Sequence, residues 1–240
     1  MDLTTRSYKK ELLDRDDIPF DDIERNMDEL NFINTYLGGH DITIAGLKRV
    51  LRNWFTVPVQ NILICEIGCG GGDNLIALST WCAKHRIVAE FIGIDINADC
   101  IRVAENRGRH LSGTFIHSDY KDVQFKRKPD IIFSSLFCHH FSNEEIIEIL
   151  QWMSKNAGSG FFINDLHRHP LAYYSIKWLS QLFSRSYLVK NDAPLSVARA
   201  FKKSDWLELL STAKISEFTL QWKWAFRWLI TAAGSSRSSS

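Results

Sequence analysis

The chain has 240 residues, 45% of them apolar and 24% charged, which suits one large packed domain with a covering element. Lys and Arg number 29 against 28 for Asp and Glu, so the balance speaks against an electrostatic grip on nucleic acid, and no nucleic-acid partner is expected. Five cysteines, an odd number with no C-x-x-C pair, do not read as a disulfide framework; a reducing, cytoplasmic setting is the expectation. No apolar run opens the chain as a secretion signal would, and no stretch approaches the roughly 18 apolar residues of a membrane span.

In chain order, Ile23, Met27, Leu30, Ile33 and Leu37 share one face of a predicted helix that Gly38-Gly39 should stop. A second helix is expected over Ile44–Phe55, with Pro58 as a break. These residues, 1–57, read as an N-terminal helical cap. From residue 58 to 232 apolar runs alternate with helical segments. Strands are predicted at Ile62–Glu66, Phe91–Asp95, Thr114–Ser118, Asp130–Ser134 and Gly160–Asn164. Helices are predicted at Asn74–His85, Ala98–Arg107 and Asn143–Lys155. Such alternation implies crossover units and a parallel sheet covered on both faces. Leu171–Phe183 is an aromatic helical stretch within an expected apolar lid at about 170–190. Ser204 is a candidate N-cap for a helix carrying Leu207, Leu209 and Leu210. Glu217–Trp228 alternates with period two and reads as one long strand or a hairpin. The Ser-rich stretch 233–240 is expected to be a disordered tail.

The densest signal is Glu66-Ile-Gly68-Cys69-Gly70-Gly71-Gly72-Asp73-Asn74, where a buried strand runs through glycines into a helix. Four glycines in five positions are more than a tight turn needs. They allow positive φ and close ligand approach at the carboxyl end of a strand, where ligands bind in parallel sheets. The dinucleotide fingerprint G-x-G-x-x-G fails: from Gly68 and Gly70 its third glycine falls on Asp73, and from Gly70 and Gly72 on Leu75. The spacing present is E-x-G-x-G-x-G, which resembles motif I of the class I S-adenosylmethionine-dependent methyltransferases. The resemblance extends over roughly residues 60–230, with Phe201-Lys-Lys-Ser-Asp-Trp206 similar to the family's closing helix. It implies a Rossmann-like, doubly wound α/β fold with a mostly parallel seven-stranded sheet. The implied cofactor is S-adenosyl-L-methionine, leaving as S-adenosyl-L-homocysteine.

The resemblance assigns cofactor contacts to Glu66, Gly68, Cys69, Gly70, Gly72 and Asn74 around the loop. Asp95, closing the second strand, would accept from the ribose hydroxyls, and Ile96 would pack on the adenine. Asp119 and Tyr120 would border the adenine, and Ser135 would lie at the end of the fourth strand. A helix N-cap is the plain alternative for Asp95, and a turn cap for Asp119. Beyond the fourth strand, Cys138-His139-His140-Phe141 is similar to the family's small-molecule branch, the quinone and phenolic type. Neither an Asn/Asp-Pro-Pro-Tyr segment at this place nor a Pro-Cys pair occurs, which lowers nucleic-acid substrates further.

Methyl transfer from a sulfonium is an in-line displacement whose leaving group is neutral, so alignment is the main task. A hydroxyl acceptor must also lose a proton, for which His140 and His167 are the candidate bases, ahead of His139 and His169; structural roles are the alternative for each. Asp165, His167 and His169 offer metal-ligand chemistry, but Pro170 interrupts the extended geometry they would need, and no metal is expected. The aromatic stretch reads equally as core packing or a dimer face and as an apolar lid; the lid reading, with the resemblance, points to a hydrophobic or aromatic small-molecule substrate, with O-methylation of a phenolic or polyketide-like compound as the expected reaction and C-methylation close behind. A protein or RNA substrate, or a cofactor-binding protein without turnover, are the competing readings. A monomer or homodimer is expected.

Overall fold

The computed structural model describes residues 2–15, 17–54 and 61–234. Pro58, the end of the second expected helix at Phe55 and most of the expected tail lie outside the described residues. Seven strands form one sheet: β1 (Ile62–Ile67), β2 (Ala89–Asp95), β3 (Gly113–His117), β4 (Ile131–Ser135), β5 (Gly160–Leu166), β6 (Phe218–Lys223) and β7 (Arg227–Ala233). Their order is β3-β2-β1-β4-β5-β7-β6, and β7 runs antiparallel to both of its neighbours. The remaining pairs are parallel. This is the doubly wound, mostly parallel arrangement that the resemblance implied, built of the crossover units that the alternating pattern predicted. Strand order reverses at β1, between β2 and β4, and the carboxyl ends there open the crevice such sheets use for ligands.

β1 and β4 are buried along their whole length, as expected of central parallel strands. One sheet face packs Ile132, Phe161 and Ile163 against α5 (Asn143–Asn156) and α8 (Lys203–Thr212), with Trp206 of α8 in the same cluster. The other packs Leu47, Val50, Leu75 and Leu78 from α2 (Gly39–Trp54) and α3 (Asp73–Lys84) against Ile64, Phe133 and Phe162. Gly46 lets α2 lie directly on β5, because a Cβ there would stand 2.5 Å from the Phe162 ring. α4 (Ala98–Arg107) follows β2, capped by the Asn97 side chain, which accepts from the N–H groups of Asp99 and Cys100.

Several boundaries differ from the sequence reading. The first helix, α1 (Phe20–Tyr36), begins earlier, and Gly38 at φ +73° separates it from α2. Gly39 therefore opens the second helix as well as following the first. The period-two run is a hairpin, and β7 continues to Ala233 because it pairs with all of β5. Ser204 lies inside the first turn of α8. Lys202 is the N-cap, its N–H donating to Asp205. After α6 (Pro170–Phe183) comes a helix that the pattern did not announce, α7 (Tyr187–Arg199), with Pro194 inside it. Ser186 caps it, and Leu188, Val189, Val197 and Ala198 are buried.

The cap is held together by carboxylate contacts. Glu29 of α1 accepts from the Arg185 and Ser186 N–H groups at 2.9 and 3.0 Å and from the Ser184 hydroxyl, pinning the α6–α7 corner to α1. The N-terminal segment crosses the same end of the molecule. Arg6 donates to the carbonyls of Arg199 and Phe141, and Arg168 to those of Leu3 and Ala200. Arg199 donates to the carbonyls of His139, His140 and Lys9. Among the described residues, no helix is long and apolar enough to cross a membrane.

Candidate functional site

The glycine loop turns sharply because Gly68, Gly70 and Gly72 all take left-handed φ, +67°, +50° and +78°. Side chains at these positions would cost about 1–2 kcal/mol each in backbone strain alone. Gly68 and Cys69 donate their N–H groups to the Ile94 carbonyl, which ties the loop to β2. Asp95 completes the fastening. One of its oxygens accepts from Gly70 N–H at 2.8 Å, the other from Asn97 N–H at 2.9 Å. A carboxylate has about four acceptor positions, so Asp95 keeps capacity for hydroxyl donors.

Glu66 is fully buried. Its Oε1 accepts from Asn74 Nδ2 at 2.9 Å, while Oε2 has no partner. Burial pushes the carboxyl well above its ordinary range, with Asp73 and Asp95 adding to the effect. Asn74 is itself held in a polar chain. Thr43 of α2 donates to it at 3.2 Å, and Asn164 Nδ2 lies 3.2 Å from Thr43 Oγ1 and 3.3 Å from Ser135 Oγ. Buried polar atoms without partners gather at this end of the sheet: Glu66 Oε2 from β1, Asn164 Oδ1 and Asp165 Oδ2 from β5, and Arg227 Nη1 from β7. Arg227 pairs in register with Leu166, so its guanidinium belongs to the carboxyl end of β5. Burial lowers its pKa to about 10.

The other candidate cofactor residues surround the loop. Ile96 is 72% exposed, open to a flat apolar ligand. Asp119 caps the short turn Tyr120–Asp122 through Lys121 N–H at 2.9 Å, and Tyr120 is buried edge-on to Trp152 and Phe137. The Phe137 ring fills the space over Gly68, where a Cβ would come within 2.0 Å of it. Leu136, left-handed at φ +55°, turns the chain so that Phe137 folds back over the loop. Met27 of α1 covers Gly70 and Gly71 from the other side.

The histidines sit in two places. His139 is buried, with Nδ1 2.7 Å from Asp165 Oδ1. Burial opposes the Asp165 charge, yet His139 and the Leu166 N–H hold that carboxyl below its usual range. His140 has Nδ1 3.1 Å from Asp14 Oδ1 and Nε2 turned toward Glu11 at 3.8 Å. Burial works against its charge, but Asp14 and Glu11 raise its pKa overall. His167 directly follows β5, where Trp222 Nε1 donates to its Nδ1 at 3.3 Å. Its other nitrogen therefore carries the hydrogen, and burial with His169 nearby lowers the pKa to about 4. His167 thus presents no free lone pair for the base role. Asp165, His167 and His169 do not converge: Asp165 is bonded to His139, and Pro170 begins α6 directly after His169.

The expected residues Glu66, Gly68, Cys69, Gly70, Gly72, Asn74 and Asp95 lie on one loop, its two neighbouring strands and the first turn of α3. Phe137, Thr43, Asn164 and Arg227 belong to the same region and were not picked from the sequence. Asn164 was within reach, since the rule that singles out Glu66 and Asp95 at strand ends also applies to the last polar residues of β5.

Residues 64–160 match the family model described as a methyltransferase domain. No curated protein matches the chain in sequence. Among solved structures, magnesium protoporphyrin IX methyltransferase from Synechocystis PCC 6803, with bound S-adenosylhomocysteine, superposes with a TM-score of 0.55. It is 17% identical over 82% of this chain and 84% of that one. The plantazolicin methyltransferase in complex with S-adenosylhomocysteine gives 0.59, at 21% identity over 84% and 72%. The CMeT domain of the citrinin polyketide synthase gives 0.55, at 12% identity over 79% and 50%. The sheet order is that of a Rossmann-like fold, with the glycine loop at the carboxyl end of β1. The methyltransferase-domain match covers residues 64–160 of the 240, and the chain as a whole shares the fold of these solved methyltransferases.

Proposed function

We propose that the chain transfers a methyl group from S-adenosyl-L-methionine to a hydrophobic or aromatic small molecule, at an oxygen of a phenolic or polyketide-like acceptor. The observation that carries the cofactor reading is Glu66 Oε2, a fully buried carboxylate oxygen with no partner, beside a loop of three left-handed glycines. Buried polar groups are nearly always paired, so this oxygen is suited to a ligand cation. The cofactor's ammonium meets that need, and a pyrophosphate would be repelled. Asp95 would hold the ribose, and Ile96, Asp119 and Tyr120 would frame the base. When bound, the cofactor supplies an electrophilic methyl on sulfur. The neighbouring structures were solved with S-adenosylmethionine or its product, which supports this reading.

The protein's contribution is alignment and exclusion of water. Phe137 and Met27 cover the loop, and the α1–α6–α7 cap closes the end of the sheet. Arg227 Nη1 and Asn164 Oδ1 would orient a polar head, while Leu171, Trp178, Leu182 and Phe183 on the outer face of α6 are exposed and apolar. The neighbouring structures named for magnesium protoporphyrin IX and plantazolicin support a small-molecule acceptor.

The test is calorimetric titration with S-adenosylhomocysteine, with NAD as control, followed by methylation assays on a panel of phenols and polyketide-like acceptors. Binding of S-adenosylhomocysteine alone, with turnover on the panel, is expected. Binding of NAD would overturn the cofactor, and turnover restricted to peptides or RNA would overturn the acceptor.

A further inference from the structure

Glu11, His139 and His140 stand outside the cofactor reading, and their geometry has its own logic. His139 Nε2 lies 3.7 Å from Glu11 Oε1, and His140 Nε2 lies 3.8 Å from Glu11 Oε2. One donor atom from each of the three residues falls within a 4.8 Å span. Both separations are too long for hydrogen bonds, although an imidazolium facing a carboxylate would close to about 2.7–2.9 Å. Ligands at roughly 2.0–2.1 Å from a tetrahedral ion stand about 3.3 Å apart. The 3.7 and 3.8 Å separations would have to close by about half an ångström, and the widest separation in the set, within 4.8 Å, by up to about 1.5 Å, a shift within the reach of side-chain rotation.

The far side of each donor is already fastened. His139 Nδ1 is bonded to Asp165 at 2.7 Å, and His140 Nδ1 to Asp14 at 3.1 Å. Ser196 donates to Glu11 Oε1 at 2.7 Å. A carboxylate on the second nitrogen of each imidazole is what metal-ligating histidines require, because it fixes the tautomer and directs the lone pair of Nε2 outward. The backbone is held as firmly. Arg199 binds the carbonyls of both histidines, and Asp192 of α7 accepts the N–H groups of Leu12 and Leu13, which follow Glu11. Two imidazoles with one carboxylate suit zinc and neighbouring divalent transition metals, and suit magnesium or calcium poorly.

We infer that Glu11, His139 and His140 form a binding site for one divalent transition-metal ion, which clasps the N-terminal segment to the end of β4. The proposal does not depend on the methyltransferase reading, since it concerns a separate ligand. It also gives His140 a role other than proton acceptor, because its Nε2 would be engaged.

The test uses the full chain, stripped with chelator and free of any polyhistidine tag. Titration with Zn²⁺ by calorimetry should give one ion per chain, and Co²⁺ should give visible absorption bands of a site with nitrogen donors. Glu11→Gln and His140→Ala should each weaken Zn²⁺ binding by more than about 100-fold, beyond the roughly 10–100-fold expected for Asp14→Asn. The double variant His167→Ala/His169→Ala should bind as the wild type does. Circular dichroism checks that each variant folds. If a ligand variant does not, the stoichiometry and the Co²⁺ spectrum of the wild type decide. Absence of stoichiometric binding to the wild type would overturn the site. So would binding that survives Glu11→Gln in a folded protein, or that is lost in the His167/His169 variant.

Discussion

Asp95 does two jobs with one carboxylate: it fastens Gly70 and Asn97, and it faces the place proposed for the ribose. Asp95→Ala should weaken S-adenosylhomocysteine binding by about 1.5–3 kcal/mol, the range for hydrogen bonds to a charged group, measurable by calorimetry. Gly68→Ala should be worse for the fold, since φ +67° and the Phe137 ring both oppose a Cβ. Glu66 makes a pH prediction. Burial raises its pKa in the folded state, so its favourable contribution is complete below about pH 4, where the unfolded carboxyl is protonated as well. As pH rises from there, ionisation favours the unfolded chain. Glu66→Gln should therefore melt at a higher temperature than the wild type at pH 7 without ligand, and the two melting curves should converge toward pH 4. His167, with its pKa near 4 and Nδ1 engaged by Trp222, should change to Ala with turnover and cofactor affinity retained. A large loss of turnover would restore it as a base.

At the scale of elements, the sequence made some things plain and hid others. β1, the glycine loop and α3 were legible because buried strands, glycine punctuation and helical spacing are local signals. So was α5, whose Ser142 and Glu145 form a reciprocal cap: Ser142 accepts from Glu145 N–H, and Glu145 from Ser142 N–H at 2.8 Å. Ser142→Ala should cost about 1 kcal/mol in denaturant unfolding while leaving cofactor affinity unchanged. α7 was hidden, because Pro194 and Asn191 argue against a helix locally, while tertiary burial of Leu188, Val189 and Val197 overrides them. The hairpin's length was hidden for a similar reason: β7 extends as far as β5 offers partners, which no window of sequence reveals. In the candidate site, Glu66 and Asp95 could be read from spacing. Thr43, Arg227 and Glu11 could not, since each acquires its neighbours only through folding.

The whole molecule is tied across its length by buried arginines. Arg6, Arg168 and Arg199 bind carbonyls on segments far apart in sequence, and the Glu11–His140–Asp14 contacts add to them. Removing residues 1–15 would leave Arg168 and Arg199 short of acceptors inside the fold, and should destabilise the protein by more than about 3 kcal/mol in denaturant unfolding. A truncated chain as stable as the full one would mean that this segment merely rests on the surface. The same arrangement bears on synthesis. The segment's distant partners lie between 126 and 198 residues further along, from the Asp14–His140 contact to the Thr4–Lys202 contact. During translation the opening stretch must therefore stay unbound until β4, β5 and α7 have left the ribosome. It docks as a late event on a nearly finished sheet, so ribosome-bound chains halted before Arg199 should show it fully accessible to protease.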